Sequence, residues 1–361
     1  MIQPLRHVAE MDLYALAAVT DAEDARLVSL AQNESLRAPS PLAVAAANYT
    51  LSNGAAYPDP DWNKLRSALA SRHGLTADNI LCGAGSMELI AALAQCFLDG
   101  EHHALASEYS YAFFETAVAR VGSRLLKAKE AAFTVNIRSL IESVTAQTRI
   151  VFVANPGNPT GTRIPTRDLL ALRAALSHDI LLVIDEAYGE FTEGLDAPTF
   201  DMVETGNTVV LRTFSKAYGL AAMRIGWGYF GPPICAHLRK VLNPNNINSA
   251  SQAAATAAVL DDAYMRETTR LTSEIRDRFQ VSLMQLGYAP PPSCANFILI
   301  PFASAEKAAF AQQRLYDGGF ILRGMSGYGL PDCLRATISS EHHMQGVINI
   351  LKSLRHQGDT I

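Results

Sequence analysis

The chain has 361 residues, 49% of them hydrophobic and 18% charged, with 23 glycines and 17 prolines, an ordinary globular composition that excludes a disordered, collagen-like or disulfide-scaffold protein. At roughly 100 to 200 residues per domain, the length implies about two domains, or one large α/β unit with an appendage, and excludes a single small module. Thirty basic residues against 35 acidic ones give a formal net charge of −5 without any Lys/Arg block, which excludes the electrostatic footprint of a nucleic-acid binder and points to a small-molecule partner.

From the N-terminus, the stretch Met1 to Ala9 carries Arg6 and His7 and lacks the apolar core and small-residue cleavage site of a signal peptide. No run approaches the roughly 18 apolar residues that span a bilayer. Five cysteines, Cys82, Cys96, Cys235, Cys294 and Cys333, form an odd set with no C-x-x-C pair and no clustered His/Cys spacing, so neither a disulfide framework nor a metal site is expected. The expected location is the cytoplasm. Residues 43–54, rich in Ala, Asn and Ser, read as a loop or a poorly ordered stretch. Trp62 and Trp227 read as core or interface anchors.

The first motif is G-A-G-S-M-E, Gly83 to Glu88. Its glycines precede a helical pattern over Met87 to Phe97, so the amides of Gly85, Ser86 and Met87 can face an anion with the helix dipole behind them. Short β-branched runs alternating with amphipathic ones then predict a parallel sheet covered by helices, with strands at Ile150–Ala154, Ile180–Asp185, Thr208–Arg212 and Arg224–Phe230 and a helix at Thr166–Ser177. The polar residues that end these strands mark the ligand side of such a sheet.

Three motifs sit there. N-P-G-N-P-T-G, Asn155 to Gly161, holds Asn158 in a turn. D-E-A-Y, Asp185 to Tyr188, places a carboxylate at the end of an apolar strand, where burial demands a cation. R-T-F-S-K-A-Y-G-L-A-A-M-R, Arg212 to Arg224, places Lys216 beyond a buried strand, with Thr213, Ser215 and Arg224 to meet a phosphate. Desolvation makes such a lysine a candidate Schiff-base nucleophile. Taken singly, each of the four motifs, Gly83 to Glu88 included, has a bland reading: an N-capped helix, a tight βα turn, a capping Asp, a surface lysine.

Further on, Ser249 to Leu286 reads as one long connector helix, broken by Pro290–Pro292. A small α+β unit follows: strands at Asn296–Ile300, Phe320–Arg323 and Leu334–Ile338, and helices at Glu306–Tyr316 and Met344–Leu354.

In this order and spacing the motifs resemble the fold-type I pyridoxal-phosphate aminotransferases, and most closely the histidinol-phosphate aminotransferase group. The resemblance runs from Asn33-Glu34 and Pro39-Ser40-Pro41, through Tyr57-Pro58-Asp59, to Leu334-Arg335-Ala336-Thr337-Ile338. It implies the fold type I architecture of α/β class: a large, mostly parallel sheet domain flanked by helices over residues 35–245, and a smaller α+β domain from 1–34 and 246–361. It also implies the cofactor pyridoxal 5′-phosphate. By the same resemblance Lys216 holds it and shuttles the proton between Cα and C4′, Asp185 pairs with the pyridine nitrogen, Asn158 and Tyr188 bond the 3′-oxygen, and Tyr109 stacks on the ring. Gly85, Ser86, Met87, Thr213, Ser215 and Arg224 would cradle the phosphate, and Tyr57 would reach the cofactor of a neighbouring subunit, which requires a homodimer. Arg335 and Arg323 would bind the anionic groups of the substrate, with Asn33 on the substrate side. The implied reaction moves an amino group from histidinol phosphate to a 2-oxo acid such as 2-oxoglutarate, without a metal, nucleic acid or membrane.

Where the family usually has R-x-P-Y-N-V-N, this chain has Leu242 to Asn248 without the arginine or the aromatic, and P-T-Y has become Ser107-Glu108-Tyr109. Ser35-Leu36-Arg37-Ala38, Ala84 and Met87 are further departures. Loss of the aromatic at Asn245 keeps open an aminotransferase for an aromatic or acidic amino acid. The cofactor motifs alone do not separate a transaminase from a phosphothreonine-decarboxylase-like lyase. A cofactor-binding regulator is a third reading, against which the roughly thirty residues before Asn33 are too few for a helix-turn-helix domain.

Overall fold

The computed structural model describes residues 2–13 and 27–356. Met1 and residues 14–26 of the expected N-terminal arm, with 357–361, lie outside the described residues.

Two sheets organise the described residues. The larger has seven strands in the order β2-β8-β7-β6-β5-β3-β4: β2 (Ile80–Gly83), β3 (His103–Ser107), β4 (Leu125–Ala128), β5 (Thr148–Ala154), β6 (Leu181–Asp185), β7 (Thr208–Thr213) and β8 (Gly226–Phe230). Strands β4, β3, β5, β6 and β7 run parallel, and β8 is antiparallel to both of its neighbours. Val151, Phe152, Leu182, Val183, Val209 and Val210 are all fully buried, as the strands of a sheet covered on both faces must be. The short, Ala-rich β3 and the four-residue β2 and β4 carry too little β-branched signal to stand out in the sequence. The strand expected from Arg224 begins only at Gly226, because Arg224 adopts φ 51° at the end of a short 3₁₀ turn.

The smaller sheet has the order β1-β10-β11-β9, from β1 (Val28–Leu30), β9 (Phe297–Pro301), β10 (Phe320–Met325) and β11 (Leu330–Thr337). Strand β1 pairs parallel with β10, so the N-terminal segment is tied to the C-terminal unit. Strands β10 and β11 are antiparallel with Arg323 opposite Arg335.

Two expectations need correction. The stretch 43–54 is not a loop in its first part: Pro41–Leu51 is a helix, capped by Ser40 Oγ accepting from the Leu42 amide and with Pro41 in its first turn. Its buried Ala43 and Ala47 pack on the helix Ser249–Leu260, whose Ala254, Ala255 and Ala258 are also buried. Small side chains let the two helices approach closely, which an Ala-rich composition permits as readily as a loop. The connector is likewise not one helix. Ser249–Leu260 and Asp262–Gln285 meet at Asp261, which accepts a hydrogen bond from Ser40 Oγ. The second helix stops at Leu286 and Gly287 (φ 78°), ahead of the prolines.

The apolar cluster of the large sheet extends through Val259 and Met265, past residue 245, and a separate cluster on the small sheet runs from Leu30 and Ile275 to Leu354. Trp62 and Trp227 are both buried in the large cluster.

Candidate active site

A cavity of about 460 Å³ opens where the carboxyl ends of β5, β6 and β7 face the small sheet and the N-terminus of the helix Ser86–Phe97. The ends of these three strands deliver polar groups to it, as the topology of an open α/β sheet prescribes.

Strand β7 ends in the turn that carries Lys216. Its Nζ donates to the carbonyls of Gln32 (3.1 Å) and Asn33 (3.0 Å). Burial, with the nearby Arg335 and Arg224 charges, pulls the ammonium down to about 7, against an opposing pull from Glu34. At neutral pH about half of such an amine is unprotonated and nucleophilic.

Strand β6 ends in Asp185, 3% exposed, whose Oδ1 accepts from the Ala187 amide at 3.1 Å. Burial lifts its carboxyl to about 7, and the adjacent Glu186 adds to the effect. Among the described residues no cation pairs with it. Glu186 faces the other way: Arg212 forks onto it through Nε (2.9 Å) and Nη2 (2.7 Å), and Thr199 donates to its other oxygen at 2.6 Å. The two adjacent carboxylates of D-E-A-Y thus divide by environment, one neutralised behind the sheet and one left facing the cavity.

The anion cradle lies between β7, β8 and the helix Ser86–Phe97. Gly85 (φ 76°) caps that helix, and a Cβ there would lie 2.8 Å from Arg224 Nη2; a Cβ on Gly226 would lie 2.4 Å from the Ser86 amide nitrogen. Both glycines therefore serve the approach of a cation and a helix N-terminus to one point. Thr213 Oγ1 donates to Ser215 Oγ at 3.1 Å and accepts from the Ser215 amide at 3.2 Å. Gly85, Ser86, Met87, Thr213, Ser215 and Arg224 all line the cavity. Glu88 accepts from the Ala84 amide (2.6 Å) and from Asn246 Nδ2 (2.7 Å), which fixes the helix start. That bond explains part of the departing 242–248 segment: Asn246 is a clamp, also bonded to Cys82 and Trp62, and the segment does not line the cavity within one chain.

Beyond β5, Asn155 closes its loop by exchanging hydrogen bonds with Ile164 at 2.9 and 3.0 Å, and Asn158 faces the cavity. Its Oδ1 accepts from Arg335 Nη1. Arg335 also donates from Nη2 to the Ala31 carbonyl at 3.0 Å and lies over the Phe297 ring. It is 5% exposed, its Nε has no partner, and no carboxylate among the described residues pairs with it. A buried guanidinium without a counter-charge is poised for an anion. Arg323, its cross-strand neighbour, lines the same cavity. Tyr188 is buried against Phe297 and accepts from Asn33 Nδ2 at 2.8 Å; burial holds its phenol well above the usual range.

Two expected residues are elsewhere. Tyr109 does not line the cavity; it packs on Phe133 beside Met325 and Leu330, and Tyr111, two residues on, takes a place in the lining instead. The sequence held the signal, since E-Y-S-Y offers two tyrosines, and a turn rather than a strand decides which one faces in. Tyr57 is 88% exposed and outside the cavity of its own chain. The sequence reading also missed Tyr328 and the backbone of Ala31 and Gln32 as lining.

Taken together, the donor set suits one ligand with a phosphate for the cradle, a basic ring nitrogen for Asp185 and a carbonyl carbon for Lys216. Comparison with known proteins agrees. The family model for aminotransferase class I and II matches residues 25–354. The chain is 36% identical over 355 residues to the histidinol-phosphate aminotransferase of Hyphomonas neptunium, covering 98% of this chain and 97% of that one. It is 38% identical over 339 residues to that of Erythrobacter litoralis, covering 92% of each. Among solved structures, the histidinol-phosphate aminotransferase of Sinorhizobium meliloti in complex with pyridoxal-5′-phosphate matches with a TM-score of 0.84 at 29% identity, over 90% of this chain and 91% of that one. A mutant aspartate aminotransferase of Thermus thermophilus matches with a TM-score of 0.85 at 20% identity, over 98% of this chain and 100% of that one, a likeness of fold.

Proposed function

This chain belongs to the class I and II aminotransferases, and from that membership we propose that it moves the amino group of histidinol phosphate to 2-oxoglutarate, as a homodimer in the cytoplasm. It is a pyridoxal-phosphate enzyme by family. When bound, that cofactor supplies the electron sink for the substrate carbon that carries the amine.

The chain's own residues do the rest. Thr213, Ser215, Arg224 and the amides at the start of the helix Ser86–Phe97 would hold the phosphate. Asp185 would face the ring nitrogen and keep a positive charge there, and Asn158 and Tyr188 would hold the ring oxygen. Lys216 Nζ, unprotonated in part near pH 7, would take the proton from the substrate's amine-bearing carbon and return it on the cofactor side. The cross-strand pair Arg323 and Arg335 would hold the phosphate of one substrate and the distal carboxylate of the other. Tyr57, exposed on its own chain, would complete the partner's site, and the exposed Leu42, Tyr49 and Leu51 of the helix that precedes it in the chain would give that contact apolar surface.

The observation that carries the substrate is the buried Arg335 guanidinium, without a carboxylate partner among the described residues, in register with a second arginine. The test is to supply purified holoenzyme with histidinol phosphate and 2-oxoglutarate and to measure glutamate. Glutamate production supports the reading. Glutamate from aromatic or acidic donors alone moves the substrate, and carbon dioxide released without an acceptor makes the enzyme a lyase.

A further inference from the structure

We propose that Asn33 is a positioning residue that sets the direction of the Tyr188 hydroxyl proton, rather than a substrate ligand; the inference rests on the pyridoxal-phosphate reading of the site. Asn33 is 2% exposed and follows β1 at φ 54°, a left-handed conformation that Asn, Asp and Gly tolerate best. Three residues hold it through four hydrogen bonds. Its amide donates to Thr337 Oγ1 at 2.9 Å, and the Thr337 hydroxyl turns its own proton to Asn33 Oδ1 at 3.4 Å. Its carbonyl accepts from Asn296 Nδ2 at 3.1 Å and from Lys216 Nζ at 3.0 Å.

With Oδ1 spent on Thr337, the NH₂ end of the carboxamide is left for Tyr188, and Nδ2 donates to its hydroxyl oxygen at 2.8 Å. A phenol has one proton to give. Because its oxygen is the acceptor toward Asn33, that proton turns away from Asn33 and into the cavity, where Asn158 also faces. The cofactor's ring oxygen would receive it there. A side chain meant for substrate would present its amide to open space; both ends of this one are used inside the protein. A donated hydrogen bond favours the deprotonated form of the acceptor, so Asn33 acts on the pH at which the bound cofactor changes colour.

The test is an absorbance pH titration of holoenzyme, with the cofactor dissociation constant and Tm measured alongside. Asn33→Gly removes the carboxamide at a φ that glycine adopts freely. Asn33→Asp keeps the shape and offers Tyr188 an acceptor, so that the phenol proton turns away from the cavity. Tyr188→Phe should raise the titration midpoint by about one pH unit. Asn33→Asp should approach that shift, Asn33→Gly should move part of the way, and Asn33→Gly should add nothing in a Tyr188→Phe background. An unmoved midpoint in both Asn33 variants overturns the inference. So does an equal shift with and without the Tyr188 hydroxyl, or a raised KM for the amino donor as the sole change. A wild-type protein without a pyridoxal-phosphate band would overturn the reading beneath it as well.

Discussion

Arg335 and Asn158, 177 residues apart, meet in a hydrogen bond of 2.5 Å between Nη1 and Oδ1. The bond joins β11 of the small sheet to the loop after β5 of the large one, so the proposed substrate ligand and a proposed cofactor ligand form one unit. Arg335→Lys keeps the charge and loses the fork that reaches Asn158 and Ala31 together. We expect kcat/KM for a phosphorylated donor to fall about 30- to 150-fold, roughly 2 to 3 kcal/mol, with cofactor still bound. Steady-state kinetics would refute this with a loss under about threefold, which would mean that charge alone suffices.

Lys216 should set the pH of cofactor uptake. With its ammonium lowered to about 7 by burial and by Arg335, the rate at which apoenzyme takes up pyridoxal phosphate should climb through pH 7 and level off by about pH 8.5. An ordinary lysine would keep climbing toward pH 10. Stopped-flow absorbance at fixed ionic strength separates the two curves, and Lys216→Ala should show neither.

Asp185, proposed to face the ring nitrogen, should cost stability. Its carboxyl is raised to about 7 against roughly 4 in an unfolded chain. Between those values the folded apoprotein keeps a proton that the unfolded chain has released, so its stability falls as pH rises through that window. Asp185→Asn should therefore melt about 2 to 4 °C above wild-type apoenzyme at pH 8 and level with it at pH 4. Its kcat should nonetheless drop about a thousandfold, since an amide cannot hold a charged ring nitrogen. Calorimetry showing no gain at pH 8 would contradict the burial argument.

Tyr57 is exposed where it stands, and its proposed target is the partner's site. Lys216→Ala and Tyr57→Ala chains should each be impaired alone. Refolded together at equal amounts, they should recover about a quarter of the wild-type sites, because half of the dimers are mixed and each holds one intact pair. No recovery on mixing would remove Tyr57 from the partner's site.

The parts of the site legible in the sequence are those bound to strand ends. Asp185, Asn158 and the Thr213–Lys216 turn follow directly from buried β-branched runs, and the structure brings them to one cavity. Placement set by a turn was less legible: Tyr109 and Tyr111 differ by one short loop, and their types are identical. The helix Pro41–Leu51 read as a loop because its alanines are silent until another alanine face packs on them. Asn33 was visible as a motif residue, yet its partners Tyr188 and Thr337 lie 155 and 304 residues away. No spacing rule reaches that far.

Mixing holoenzyme with histidinol phosphate in the absence of any 2-oxo acid, and recording the cofactor spectrum, reads the proposed amino transfer itself. The expected result is single-turnover loss of the Lys216-bound band and growth of the aminated cofactor's band, faster than with any common amino acid, and reversal on adding 2-oxoglutarate. A spectrum that histidinol phosphate leaves unchanged, while another amine converts it, would contradict the proposed substrate.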